Sequence, residues 1–207
     1  MYEQNDSMFS ICFISFLKHI LRNYNMLEIY EDYLKKFEPH SSLSLQELWN
    51  EMDQVWDFLK LDNTSPLNSQ SEQISQFYSH PVWILNGKFI KSDPISITHR
   101  KAIAYQIKTL KLTDVADYGG GQGALAEEIC QAHSNATVDI IEPFPSEYIT
   151  EKIQEERITF RSQLDRSYDL IVAQDVLEHV YSPLDLTLEL IQNLKMNGYL
   201  ILANCFY

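Results

Sequence analysis

The chain holds six glycines, and four of them fall between Gly119 and Gly123. A short apolar run from Val115 leads into them. Helical spacing follows at once, with Leu125, Ile129 and Ala132 aligned. That order reads as a strand, a tight turn and a helix. Glycine lets the main chain turn sharply and lets a ligand approach it. The N–H groups that open the helix then face that ligand. Gly119-x-Gly121-x-x-Ala124 satisfies the dinucleotide fingerprint. Asp117, two residues before the first glycine, weighs against it: a carboxylate there repels a pyrophosphate and attracts a cation. A second acid, Glu142, ends the β-branched run Thr137–Ile141. It lies about twenty residues past the turn, where a carboxylate accepts both hydroxyls of a ribose; the alternative is a charge at a helix start. Pro143-Phe144-Pro145 follows, stiff and aromatic, suited to lie against an adenine.

These residues need elements to hold them. Residues 8–38 carry apolar side chains at three and four and read as helix until Pro39. Ser44-x-x-Glu47 is a capping box that opens a second helix, with Leu45, Leu48, Trp49, Met52, Val55, Trp56 and Leu59 on one face. A polar loop from Asn63 to Ser71 separates it from a short helix over Ser71–Tyr78. Asn86-Gly87 between apolar runs predicts a hairpin over Trp83–Ile90. Ile95–Leu110 is helical, and its His99 and Arg100 stand just ahead of the glycine turn. Strands are expected over Val115–Tyr118, Thr137–Glu142, Ile158–Arg161, Tyr168–Gln174 and Tyr199–Asn204. Helices are expected over Ser146–Glu156 and from Ser182-Pro183 to Asn197-Gly198. Alternating strands and helices predict an α/β fold, a doubly wound parallel sheet behind an N-terminal helical segment. The division falls at residues 1–94, a helical cap with the hairpin, and 95–207, the sheet domain.

Net charge is −13 over 207 residues. So acidic a chain is a poor match for nucleic acid, whose binding rests on neutralising phosphates. Cys12, Cys130 and Cys205 show no paired spacing, as for thiols of a reducing, cytoplasmic compartment. The apolar run Phe9–Leu17 follows Glu3 and Asp6, has no basic flank, and is too short to cross a bilayer.

Two segments make the pattern specific. Asp117-x-Gly119-x-Gly121-x-Gly123 fits the glycine turn of class I S-adenosylmethionine (SAM) methyltransferases. Tyr168–Val180, with Leu177-Glu178-His179 after the strand, resembles motif IV of the same family, and Lys195–Leu202 resembles the segment after it. The resemblance covers residues 95–207 in order and spacing, and leaves 1–94 aside. It implies a Rossmann-like methyltransferase core and a SAM cofactor. Gly119, Gly120 and Gly121 would let the amino-acid part of SAM approach the backbone, with Asp117 near its ammonium. Glu142 would bind the ribose and Phe144 would flank the adenine. Gln174 would offer its backbone carbonyl to the ammonium. Many relatives carry an Asp after the third strand for the adenine amino group. Here the run is Arg161-Ser162-Gln163-Leu164-Asp165, and Gln163 or Ser162 would stand in.

The sulfonium is already activated, so transfer needs mainly positioning and a deprotonated nucleophile. His179 lies where the methyl should point, either as a base of near-neutral pKa or as a histidine that packs or caps the next helix. Asp175-x-x-Glu178-His179 also resembles the magnesium-associated pattern of some O-methyltransferases, without a visible fourth ligand. The expected activity is methyl transfer to a small-molecule acceptor. Its rivals are an RNA methyltransferase and a SAM-binding partner subunit without turnover. Tyr199–Phe206 is almost wholly apolar, as for a strand buried on both faces. The family covers that strand's outer edge with elements absent after Tyr207, so self-association through it, or a fragment of a longer chain, is expected.

Overall fold

The computed structural model describes residues 43–62, 64–65, 67–143 and 153–204. The helix expected over 8–38, most of that over 146–156, and Phe144 lie outside those residues. Helix α1 (Leu45–Phe58) starts where the capping box predicts. The Ser44 N–H donates to Glu47 Oε2 at 2.8 Å, and the Glu47 N–H donates to Ser44 Oγ at 3.3 Å. Its buried residues are Leu48 and Val55, whereas Leu45, Trp49 and Phe58 are exposed. A single 3₁₀ turn, Leu67–Gln70, leads into α2 (Ser71–Tyr78).

The expected hairpin is instead a helix, α3 (Val82–Ser92). Val82, Ile84 and Leu85 are all buried, and a short apolar run of that kind fits a buried helix as well as a strand. Asn86-Gly87 therefore does not turn the chain. Gly87 is inside the helix because a side chain there has no room: its Cβ would lie 2.1 Å from Gln122 Cδ. Helix α4 (Pro94–Thr109) is capped by Asp93, whose Oδ2 accepts from the Ser96 N–H at 2.7 Å, and has proline at its first turn.

The sheet follows: β1 (Asp114–Tyr118), α5 (Ala124–Ala132), β2 (Thr137–Ile141), β3 (Ile158–Arg161), β4 (Tyr168–Gln174), a 3₁₀ turn at Leu177–His179, α6 (Pro183–Gln192) and β5 (Leu194–Ala203). All pairs are parallel, in the order β3-β2-β1-β4-β5. The order reverses between β1 and β4, which opens a crevice at the carboxyl ends of those strands. On one face Val115, Val138, Ile140, Leu170 and Val172 pack with Ile107 of α4 and Leu125 and Ile129 of α5. On the other, Ala116, Ile141, Ile171 and Ala173 pack with Leu186 and Leu190 of α6.

Strand β5 departs from expectation twice. It begins at Leu194, and Asn197-Gly198 forms an irregularity inside it rather than a helix end; Asn197 has φ 63° where the register with β4 shifts. Nor is it buried on both faces: Met196 is 91% exposed, and Tyr199 and Leu202 are exposed too. Among the described residues its outer edge pairs with no strand.

Away from the crevice, one buried acid ties three strands together. Asp139 in β2 accepts from Arg161 Nε at 2.5 Å, Arg166 Nε at 3.0 Å and the Tyr168 hydroxyl at 2.9 Å. Arg166 also donates to Asp114, and its guanidinium lies 4.3 Å from the Tyr168 ring centre. Burial, with Asp139 beside it, pushes the Tyr168 phenol up, so it keeps the proton it donates.

Candidate active site

At the carboxyl ends, Tyr118 is level with Ile141 of β2 and Ala173 of β4, so Gly119, Glu142 and Gln174 leave three adjacent strands side by side. The turn adopts left-handed backbone at Gly119 (φ 69°), Gly121 (φ 51°) and Gly123 (φ 71°). Gly120 answers a different need, since a Cβ there would lie 2.6 Å from Asp117 Oδ2. The Gly121 N–H donates to Glu142 Oε2 at 3.2 Å, which brings the second acid onto the turn.

Asp117 is 3% exposed, and its Oδ2 has no hydrogen-bond partner among the described residues. Burial pushes its carboxyl up to about 7; the Arg100 charge opposes that rise and Glu142 adds to it. Arg100 projects from α4 with Asp117 and Asp175 as its charged neighbours, while its Nη1 donates to the Ser96 carbonyl at 3.2 Å. Burial lowers its pKa. His99, one residue earlier, is exposed. Of those two sequence candidates, only Arg100 joins the cluster.

The exit of β4 is held by β5. The Asp175 N–H donates to the Ala203 carbonyl at 2.7 Å, and Asn204 Oδ1 accepts from the Val176 and Leu177 N–H groups, each at 2.9 Å. Asp175 takes φ 55°, an uncommon backbone for a residue with a side chain. Burial raises its carboxyl, with Glu178 adding to the rise. Val176 reaches back over the glycine turn, since a Cβ on Gly119 would meet its Cγ2 at 2.6 Å. Gln174 Nε2 donates to Asp175 Oδ2 at 3.3 Å.

His179 is exposed at the end of the 3₁₀ turn, with its ring edge-on to Tyr78 at 6.3 Å and Trp83 at 6.4 Å between centroids. Tyr78 and Trp83 stack at 5.1 Å, with Phe77 and Trp56 behind them. Burial and the nearby Glu178 carboxylate push the Tyr78 phenol up to about 12, so it stays neutral. Thus α1, α2 and α3 supply an aromatic wall beside the β4 exit.

Gln163 is exposed in the bend after β3, and Asp165 is bound to Arg161 at 2.8 Å. Phe144 lies outside the described residues. Among the described residues, no three acid, histidine or cysteine side chains converge to hold a metal ion, and Asp175, Glu178 and His179 form no such group. No described helix is long and apolar enough to cross a membrane. Asn204, Gln122, Tyr78 and Trp83 carry no functional signal in the sequence beyond the aromatic density of residues 77–83.

A family model described as a methyltransferase domain matches residues 91–205. No curated protein matches the chain. An O-methyltransferase family protein from Burkholderia thailandensis is 15% identical, with 76% of this chain and 49% of that one covered and a TM-score of 0.54. The plantazolicin methyltransferase BpumL, solved with S-adenosylhomocysteine (SAH), is 18% identical, with 72% and 58% covered and a TM-score of 0.42. The chain thus spans about half the length of these solved structures. The family match takes in more than half of the chain and every strand of the sheet: the chain belongs to the methyltransferase domain family.

Proposed function

We propose that this chain binds SAM in the β1–β4 crevice and transfers its methyl group to a small-molecule acceptor. The observation that carries the reading is the pair of opposite charges at the glycine turn. Asp117 holds a buried carboxyl oxygen without a hydrogen-bond partner among the described residues, and the Arg100 charge favours its ionised form. An amino-acid zwitterion matches that pair, with its ammonium toward Asp117 and its carboxylate toward Arg100. Gly119, Gly120 and Gly121 leave the backbone open beside them, and the Gln174 carbonyl is a second acceptor for the ammonium. Glu142, already hydrogen-bonded to Gly121, takes the ribose hydroxyls. Phe144 is assigned to the adenine from the family pattern, and Gln163 or Ser162 stands in where the family carries an Asp.

SAM supplies an activated methyl group; the protein's part is alignment and proton removal. His179 is the proposed base, held edge-on by Tyr78 and Trp83. His179 would take the acceptor's proton as the acceptor's lone pair takes up the methyl carbon and the sulfur–methyl bond breaks, its electron pair leaving with SAH. The aromatic wall favours a flat, largely apolar acceptor. The net charge of −13 disfavours RNA. A partner subunit without turnover remains the other outcome of the test: it would bind SAH and transfer nothing.

Calorimetry with SAH and NAD tests the cofactor. SAH should bind with a Kd of about 1–100 μM and NAD should not bind measurably. Glu142→Ala should weaken SAH by about 1–3 kcal/mol, the cost of losing a charged hydrogen-bond partner. The same titration carries a pH signature. Asp117 must be ionised to attract the ammonium, and its carboxyl titrates at about 7. Affinity should therefore fall as pH drops through that value, by about tenfold for each further pH unit. Methylthioadenosine, which lacks the amino-acid part, should show no such fall. Equal binding of SAH and NAD would end the SAM reading; equal pH dependence of SAH and methylthioadenosine would free Asp117 from its assigned role.

A further inference from the structure

Gln122 sits in the glycine turn, between the left-handed Gly121 and Gly123. Its side chain points away from the sheet and into α3. Nε2 donates to the Ile84 carbonyl at 2.7 Å and lies 3.4 Å from the Trp83 carbonyl. Both carbonyls belong to the first turn of a helix, where the N–H four residues on is the ordinary donor. A carbonyl has two lone pairs, so the amide of Gln122 adds to the helix bond rather than replacing it.

Gly87 completes the fit. It lies one turn along α3 from Trp83 and Ile84. A Cβ on it would sit 2.1 Å from Gln122 Cδ and 2.2 Å from Nε2. The glycine that misleads the hairpin reading is therefore the gap that receives Gln122. Two further side-chain ties from α3 to the sheet domain are the edge-on contact of Trp83 with His179 and Lys91–Glu127 at 2.9 Å, the latter with both groups about a third exposed. Exposed pairs of that kind contribute little. The amide of Gln122 thus anchors the helix that carries Trp83, and Trp83 borders His179.

We propose that Gln122 is a positioning residue that joins the cofactor turn to the acceptor wall, so that filling the cofactor site fixes α3 and with it Trp83. The backbone of Gln122 lies between the residues that line the cofactor site, and its side chain ends on α3. Order imposed on the turn is passed to the helix through one amide. By reciprocity, an acceptor that steadies α3 tightens cofactor binding. Cofactor and acceptor therefore each raise the other's affinity by the same factor. This rests on the SAM reading above.

Hydrogen exchange on the full chain, with and without saturating SAH, tests it. In the wild type, SAH should slow exchange at residues 119–123 and, by several-fold, along 82–92. Gln122→Met keeps the length of the side chain and removes the donor. With SAH at saturation, that variant should keep the slowing at 119–123 and lose it along 82–92. Gly87→Ala attacks the same joint from the other side and should give the same separation; it serves if Gln122→Met does not fold. Slowing along 82–92 that persists in both variants overturns the proposal. So does wild type in which only 119–123 responds. No response at 119–123 in wild type is a different failure, that of the SAM reading itself.

Discussion

Replacing His179 with alanine should lower methyl transfer by about 10²–10⁴-fold, the usual contribution of a positioned general base. The affinity for SAH should change little, because His179 is not among the residues proposed to hold the cofactor. His179 leaves the β4 exit on a turn held by three N–H donors, Asp175 to the Ala203 carbonyl and Val176 and Leu177 to the Asn204 side-chain oxygen. Its ring is steadied on one side by Tyr78 and Trp83 and is open to solvent elsewhere. That combination, a fixed backbone with an accessible ring, suits proton transfer. Packing alone would give a different result: a raised KM for the acceptor with kcat nearly intact, since the wall would loosen while the chemistry remained. Normal kcat in the variant would remove His179 from the mechanism.

The second large effect is on stability. Asp139→Ala should destabilise the fold by about 3 kcal/mol, the lower end of the cost of breaking a buried charged pair. The lower end applies because Arg161 and Arg166 are each about a third exposed and keep Asp165 and Asp114 as partners. Tyr168 has no such recourse: its ring is fully buried, and Asp139 is the acceptor of its hydroxyl. Thermal unfolding should show a midpoint lower by about 10 °C. Asp139→Asn retains an oxygen for Tyr168 and should lose distinctly less. Equal losses in the two variants would mean that the charges, not the hydroxyl, dominate.

The sheet was legible because its strands are short, β-branched and bounded by turn residues. The expected ranges for β3 and β4 coincide with the observed ones. The hairpin expectation failed because an Asn-Gly pair turns a chain only when both flanks have strand partners, and Val82–Leu85 buries itself as a helix instead. The start of β5 was misjudged for a related reason. Asn197-Gly198 has the composition of a helix end, yet α6 stops at Gln192 and the pair sits in an irregular strand. Within the site, Asp117, Gly119, Gly121 and Glu142 could be read because each fills a fixed place in a local pattern. Arg100 could be named but not separated from His99, since one residue of rotation on α4 decides which faces the crevice. Gln122 was invisible, because its partner is a pair of backbone carbonyls 38 and 39 residues away.

The turn that carries His179 is fastened to β5, an outermost strand with one side unpaired among the described residues. Edge strands with exposed hydrogen bonds belong to the least protected part of a fold. On warming, β5 should therefore fray while β1, β2 and β4 still hold, and the Ala203 and Asn204 fastenings go with it. Heat inactivation then precedes melting, and the interval between the two temperatures measures how firmly that edge is braced. Any chain that pairs with β5 would close the interval, acting as a thermal brace on catalysis without touching the reactants.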